Sequence, residues 1–278
     1  MAENPLENKI VQQEAHSKKI QWNVFPPREN TSHTTRTSDL WDTSAMLMVI
    51  PQRTFIGKIG IKIPIIEALL SSQTLRRIRL EIDLLTFNHM SKNATNHRFY
   101  LNTSDTKFGF HIDYLFQPWA LRFGAKHRSA HLADGLLSDV AIERGTYPRK
   151  NGYSQEFLES YVLMNSDYIK PYTGFTYVVR QGSPKKIRGK HFLGLHGGID
   201  LTYPNSSGLI PMLSLNLIAQ EEFDFHISQS YLAGLKIAPK TSDNSLIVGL
   251  NYYDGADPRG EFFGNFTHFW GVSLQYLF

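Results

Sequence analysis

The sequence contains no cysteine, so neither a disulfide framework nor a thiolate metal site is open to it. It also lacks an uninterrupted apolar run of the roughly 20 residues that a membrane-crossing helix needs. The best run, residues 59–70, is broken by Lys62, Pro64 and Glu67. Charge of one sign is not concentrated: 29 basic against 25 acidic residues leave +4 over 278 positions, with no basic cluster. That balance argues against a nucleic-acid partner. The opening Met1-Ala2-Glu3-Asn4-Pro5 has no basic start followed by an apolar stretch. If the chain is exported, the expectation is that its signal peptide has already been removed.

A mean hydropathy of -0.29 with 41% hydrophobic residues is what a soluble protein shows. These averages do not exclude a membrane protein, because a transmembrane strand needs only about 10 residues with one apolar face. What is present is alternation. Residues 1–43 are rich in Asn, Ser, Thr, Gln and Lys, with scattered apolar positions such as Ile20, Trp22, Val24 and Phe25, and are expected to form a polar periplasmic tail, for which partial entry into the lumen is open. From there onward the pattern has period 2, the strand period.

The last segment is the clearest. His268, Trp270, Val272, Leu274, Tyr276 and Phe278 share one face, opposite Gly271, Ser273, Gln275 and Leu277. A C-terminal aromatic strand of this kind resembles the terminal signal of outer-membrane barrels. Phe108, Phe110, Ile112 and Tyr114 alternate in the same way with Gly109, His111 and Asp113. Charge falls on the inner face: Arg79, Glu81 and Asp83 interleave with Ile78, Leu80, Ile82 and Leu84. By the same parity Lys58, Lys62, Arg122 and Lys126 are lumen charges, as are His196 and Asp200. Trp119, Tyr114, Trp270 and Tyr276 suit the interfacial girdle.

Roughly 12 strands of about 9–13 residues are expected, matching a tilted transmembrane strand. They begin near Ser44, Phe55, Arg77, Lys107, Trp119, Ser154, Tyr168, Lys190, Gly208, Phe223, Ser245 and Thr267. Connections at 117–118, 165–167, 204–207 and 239–244 are short, whereas those at 89–106, 132–152, 181–189 and 254–266 are long. Short periplasmic turns and long outer loops characterise outer-membrane barrels. The fold expected is therefore all-β: a single antiparallel transmembrane β-barrel of about 12 strands over residues 44–278, located in the bacterial outer membrane. A soluble sandwich or lipocalin-like barrel with an unusually apolar exterior is the alternative.

One polar cluster invites chemistry. Trp119, Leu121, Phe123 and Ala125 face lipid, and extending their parity puts His127, Ser129 and His131 outward as well. A His-x-Ser pair on an outer face resembles outer membrane phospholipase A and, more distantly, the lipid A deacylases. That resemblance implies His127 as base and Ser129 as nucleophile in acyl-ester hydrolysis, with Gln155 or Glu159 of the next strand orienting the imidazole. Ala130 stands where those enzymes usually carry Asn, and a strand-end polar cluster is the plainer reading of the set. A calcium site in the loop carrying Asp134, Asp139 and Glu143 is allowed by its oxygen ligands, but their order is not that of a calcium loop, and no cofactor is expected.

The stretches 122–134, 149–156 and 249–263 resemble a family of uncharacterised bacterial outer-membrane proteins, which implies a fold without an established activity. Three functions follow: a barrel of structural role, an acyl hydrolase of envelope lipids, and a narrow channel for small solutes. The expected partners are outer-membrane lipids and lipopolysaccharide, with the barrel-assembly machinery engaging the C-terminal strand.

Overall fold

The computed structural model describes residues 20–26, 36–42, 44–51, 54–71, 76–92, 97–133, 153–182, 191–205, 207–238, 244–262 and 264–277. Among them no helix is long and apolar enough to cross a membrane. The wall is built from β2 (Ala45–Ile50), β3 (Thr54–Ser71), β4 (Arg76–Lys92), β5 (Phe99–Phe116), β6 (Trp119–Leu132) and β7 (Tyr153–Met164). It continues through β8 (Ile169–Gly182), β9 (Phe192–Thr202), β10 (Leu209–Gln220), β11 (Ile227–Ile237), β12 (Ser245–Ala256) and β13 (Phe266–Leu277). Each strand pairs antiparallel with its sequence neighbour, and β13 pairs with β2 from Val272↔Val49 to Tyr276↔Ala45, which closes the barrel. A short strand, β1 (Gln21–Val24), continues the line of β2 along the seam by pairing with Ile66 to Leu69 of β3.

Alternation decides which side chains go where. Ile59, Ile63, Phe108, Phe110, Phe123 and Trp270 are exposed on the outside, while Lys58, Lys62, Glu81, His111, Arg122 and Gln275 are buried inside. The arrangement inverts that of a soluble protein, since the polar groups form the core and the apolar ones the surface. An apolar exterior of this extent has no aqueous solvent that favours it, so it marks the lipid-facing band of a transmembrane barrel.

Strand lengths depart from the expected range. β3, β4 and β5 have 18, 17 and 18 residues, and β2 has only 6. The segment 89–106, expected as a long loop, is mostly the tip of the β4–β5 hairpin, whose ladder runs out to Lys92↔Phe99. At about 3.3 Å per residue these three strands reach roughly 60 Å, well beyond what the hydrocarbon band requires. β3 carries one irregularity with a visible cause: Pro64, which has no N–H to give the ladder, sits at the bulge between Pro64 and Ile66. The turns at 117–118, 165–168 and 203–208 and the paired ends of β2 and β13 lie at one end of the barrel, the short-turn end. The opposite, long-loop end carries the one-turn helices Glu221–Phe223 and Gly260–Phe262.

Candidate functional site

A 12-stranded barrel has a lumen that side chains only partly fill. Here the chain itself helps to fill it. Residues 36–42 lie inside the wall, so the tail expected over 1–43 is represented in the structure by two pieces, β1 on the wall and this segment in the lumen. It holds itself compact with two turns, Asp39 N donating to Arg36 O (3.1 Å) and Asp42 N donating to Asp39 O (3.1 Å). Within it the Arg36 guanidinium meets Asp39 at 3.1 Å and Asp42 at 3.4 Å.

The wall grips this plug from several strands. Lys62 Nζ lies 3.1 Å from Asp42 Oδ1, and Lys58 Nζ donates to Asp39 O at 3.5 Å. Thr37 Oγ1 donates to Asp200 of β9 at 2.7 Å, and Ser230 Oγ of β11 donates to Ser38 O at 2.7 Å. Lys107 Nζ donates to Trp41 O. Two cation–π stacks complete the seat, with Arg36 4.1 Å over the Tyr161 ring and Arg128 3.8 Å over Trp41, which also stacks on Phe87. Contacts on opposite sides of the lumen are thus made by one short segment.

Beside the plug, the expected lumen charges Lys58, Lys62, Arg79, Glu81, Asp83, Arg122 and Lys126 all point inward and are buried. Lys58 and Lys62 reach the plug, while Arg79, Glu81, Asp83, Arg122 and Lys126 belong to an ion network across β3 to β7. Arg79 Nε donates to Glu67 at 2.8 Å, and His111 bridges Glu81 (Nε2, 2.9 Å) and Asp83 (Nδ1, 3.1 Å). Lys126 pairs with Asp83 and, at 3.2 Å, with Glu159, while Arg122 forks onto both Asp113 oxygens at 2.8 Å. Glu81, His111 and Asp113 offer donor atoms within 4.8 Å of one another, a spacing suited to a metal. Their carboxylates are already engaged by Arg79 and Arg122, so the cluster serves the ion network.

Above the plug, toward the long-loop end, the lumen widens into a vestibule of about 1000 Å³ of empty space up to its open mouth. Arg36, Asp39, Leu40 and Trp41 form its floor, β5 to β12 its walls, and residues 257–260 part of its rim. The rim segment is pinned: Gly260 N donates to Asp105 Oδ2 at 2.7 Å, and Arg128 donates to Pro258 O. A Cβ on Gly260 would lie 2.4 Å from Tyr153 Cδ1, so only glycine lets the rim close this tightly. Glu222, on the one-turn helix at the mouth, has its carboxyl pushed up to about 7 by burial. Because the folded state keeps that proton above the ordinary glutamate range, the stability it contributes is full below about pH 4.5 and is lost as pH rises through 7. Glu222→Gln should therefore melt like the parent protein at pH 5 and at a higher temperature than the parent at pH 8, read by heat-modifiable gel migration at each pH. Equal melting of the two at both pH values would remove this role.

The outer-face set is not assembled as expected. His127 and Ser129 do face outward, but they oppose Glu156 and Ser154 of β7, and directly paired residues share a face. Gln155 and Glu159 therefore point into the lumen, where Gln155 lines the vestibule and Glu159 meets Lys126. The outward partner nearest His127 is Glu156, 4.0 Å away, and no hydrogen bond joins His127 to Ser129 among the described residues. Asp134, Asp139 and Glu143, the calcium candidates, lie outside the described residues.

The sequence profile described as "Protein of unknown function (DUF1207)" matches residues 93–278. The chain belongs to that family. The DUF1207 match takes in β5 to β13 and leaves the plug and β2 to β4 outside it. No curated protein matches. Among solved structures, the transport unit of the autotransporter AIDA-I from Escherichia coli is similar at 10% identity and a TM-score of 0.41, covering 84% of this chain and 87% of that one.

Arg36, Asp39, Trp41 and Asp42, on which the DUF1207 chain's lumen closes, escaped the sequence reading. Their one signal is the mixture of Arg36, Asp39, Leu40, Trp41 and Asp42 at the end of an otherwise Ser/Thr/Asn-rich tail.

Proposed function

We propose that this protein is a bacterial outer-membrane β-barrel sealed by its own residues 36–42, presenting an outward-facing vestibule instead of an open channel. The observation that carries the reading is the plug held from β3, β5, β9 and β11 at once, beside a lumen whose charges neutralise one another. The apolar exterior supports contact with outer-membrane lipids and lipopolysaccharide. The short-turn and long-loop ends support a periplasmic and an outer side respectively. The alternating aromatic face of β13 supports insertion by the barrel-assembly machinery.

The hydrolase alternative has lost its orienting residue, since Gln155 and Glu159 lie across the wall from His127. Purified protein in planar bilayers should show no conductance steps above leak, and folded protein should migrate faster than boiled protein on gels. Frequent steps from the unmodified protein would end the sealed-barrel reading, and a protein that stays monodisperse without detergent would end the membrane reading.

A further inference from the structure

The outer surface of β3 to β5 carries three levels where a transmembrane wall needs one. Ile78, Ile82 and Leu84 of β4 and Phe108, Phe110 and Ile112 of β5 are exposed and apolar, and form the lipid-facing band. Above them, toward the long-loop end, the same faces turn polar. Thr86 pairs with Thr106 and Asn88 with Ser104. Ser104 Oγ donates to Asn88 Oδ1 at 2.8 Å, and Asn88 Nδ2 donates to Thr86 Oγ1 at 3.4 Å. Higher still, at the tip of the hairpin, the face is apolar again: Phe55 pairs with Met90, Met90 with Leu101, and the Phe55 and Phe99 rings meet edge to face at 5.2 Å. Phe99 is 61% exposed and Leu101 40%. Among the described residues of these strands the one outward charge from Ile78 to the tip is Lys92, whose amine lies 5.7 Å over the Phe99 ring.

Lipid accounts for the lowest level only. The apolar band of a transmembrane barrel is about 25 Å tall, whereas β4, with 17 residues, stands about 40 Å tall at the tilt of a barrel strand. Short turns mark the near side of the membrane, so the excess projects at the long-loop end. The upper apolar patch is therefore surrounded by water, and an exposed apolar patch in water marks a contact surface. We propose that this face is where two copies of the barrel meet. Copies in one membrane stand the same way up, so the two-fold axis relating them runs along the membrane normal and sets each level opposite itself. The upper patches then bury one another, while the hydroxyls and amides of the middle level, which both donate and accept, hydrogen-bond across the axis. The other aromatic rim does not have this self-complementarity. Phe266 and Ile227 are exposed at the long-loop ends of β13 and β11, but the row beside them is Gln229, Asp254 and His268, and a second copy would set Asp254 against Asp254. The inference rests on the membrane-barrel reading and is independent of the seal.

Because the chain has no cysteine, a single introduced thiol reports on one position. The test uses the folded full chain in vesicles of phosphatidylethanolamine and phosphatidylglycerol, treated with a short bis-maleimide. Thr106→Cys and Ser104→Cys should cross-link to dimers, and Leu213→Cys, exposed on β10 six strands round the wall, should stay monomeric. Adding Phe99→Asp to the Thr106→Cys protein should weaken dimerisation roughly tenfold, the effect of losing one central anchor, at unchanged barrel migration on gels. Leu101→Asp provides a second disruption if Phe99→Asp does not fold. Monomers alone from both middle-level thiols, equal cross-linking from Leu213→Cys, or dimers indifferent to the Asp variants would each overturn the proposal. Dimers that form only after lipopolysaccharide is added would assign the face to that glycolipid and overturn it too. Conductance of the same vesicles separates this reading from the seal. A silent barrel that stays monomeric refutes the dimer alone, and a conducting barrel that dimerises through this face refutes the seal alone.

Discussion

Asp42→Ala should convert a silent barrel into a conducting one. Asp42 is the anchor that ties the plug to the wall, with one carboxylate oxygen 3.1 Å from Lys62 Nζ and the other 3.4 Å from Arg36 Nε. It also accepts from the Arg36 backbone N–H, so the same side chain fixes the fold of the plug and its seat. Removing one partner of a buried ion pair costs about 3–5 kcal/mol, because the remaining charges stay buried without compensation. Here Lys62 loses its carboxylate partner and Arg36 keeps only Asp39, at 3.1 Å. They repel across the space the carboxylate occupied, and the cheapest relief is for the short plug to leave while the ladders of the wall hold. Planar-bilayer recordings of Asp42→Ala should show discrete steps that the parent protein lacks, at unchanged barrel migration on gels. If Asp42→Ala is as silent as the parent, the plug is held by its remaining contacts and the electrostatic account of the seal is wrong.

The second large effect concerns the wall. Arg122→Leu should lower stability by about 3–5 kcal/mol, because Asp113 then remains buried with its bidentate partner gone. The pair is among the best-defined in the lumen: two bonds of 2.8 Å, with both side chains almost wholly inaccessible. Among the described residues the other side-chain nitrogen near Asp113 is His111 Nε2, at 3.7 Å. Replacing both residues, Arg122→Leu with Asp113→Leu, should recover most of the loss, since an apolar pair of similar bulk carries no desolvation penalty. Denaturant unfolding of the four proteins in detergent gives the coupling directly as a double-mutant cycle. A double variant as unstable as the sum of the single ones would show that the two residues do not act as a pair.

Much of this barrel was legible because period 2 does not depend on tertiary context. Phe108, Phe110 and Ile112 face outward, and Gly109, His111 and Asp113 face inward, whatever the neighbouring strands do. The strand starts at Trp119 and Ser245 were read as they stand, and most of the others fell within a few residues. Gln155 and Glu159 show where the reasoning runs out. That they share the face of Phe157 and Tyr161 is right, but which face this is depends on the register of β7 against β6, and a one-residue slip reverses it. The long connection between these strands leaves that register open in the sequence, and the pairing His127↔Glu156 decides it. The length of β4 and β5 was missed for a related reason. Ser91, Asn102 and Ser104 read as loop residues, but in the hairpin Ser91 donates to Asn102 at 3.3 Å and Ser104 donates to Asn88 at 2.8 Å.

By itself, then, the sequence determined an antiparallel barrel, its apolar outer face and its charged inner one, because alternation along a strand fixes two faces and hydrocarbon tolerates only one of them. Only the tertiary structure decided that residues 36–42 sit inside the barrel. Residues 36–42 have no periodicity and so no face of their own. Their partners Lys58, Lys62, Lys107, Asp200 and Ser230 are scattered along the chain and become neighbours only when twelve strands curl their inner faces around one lumen. A buried carboxylate such as Asp42 is stable only where cations already surround it, and that surrounding is a property of the closed wall.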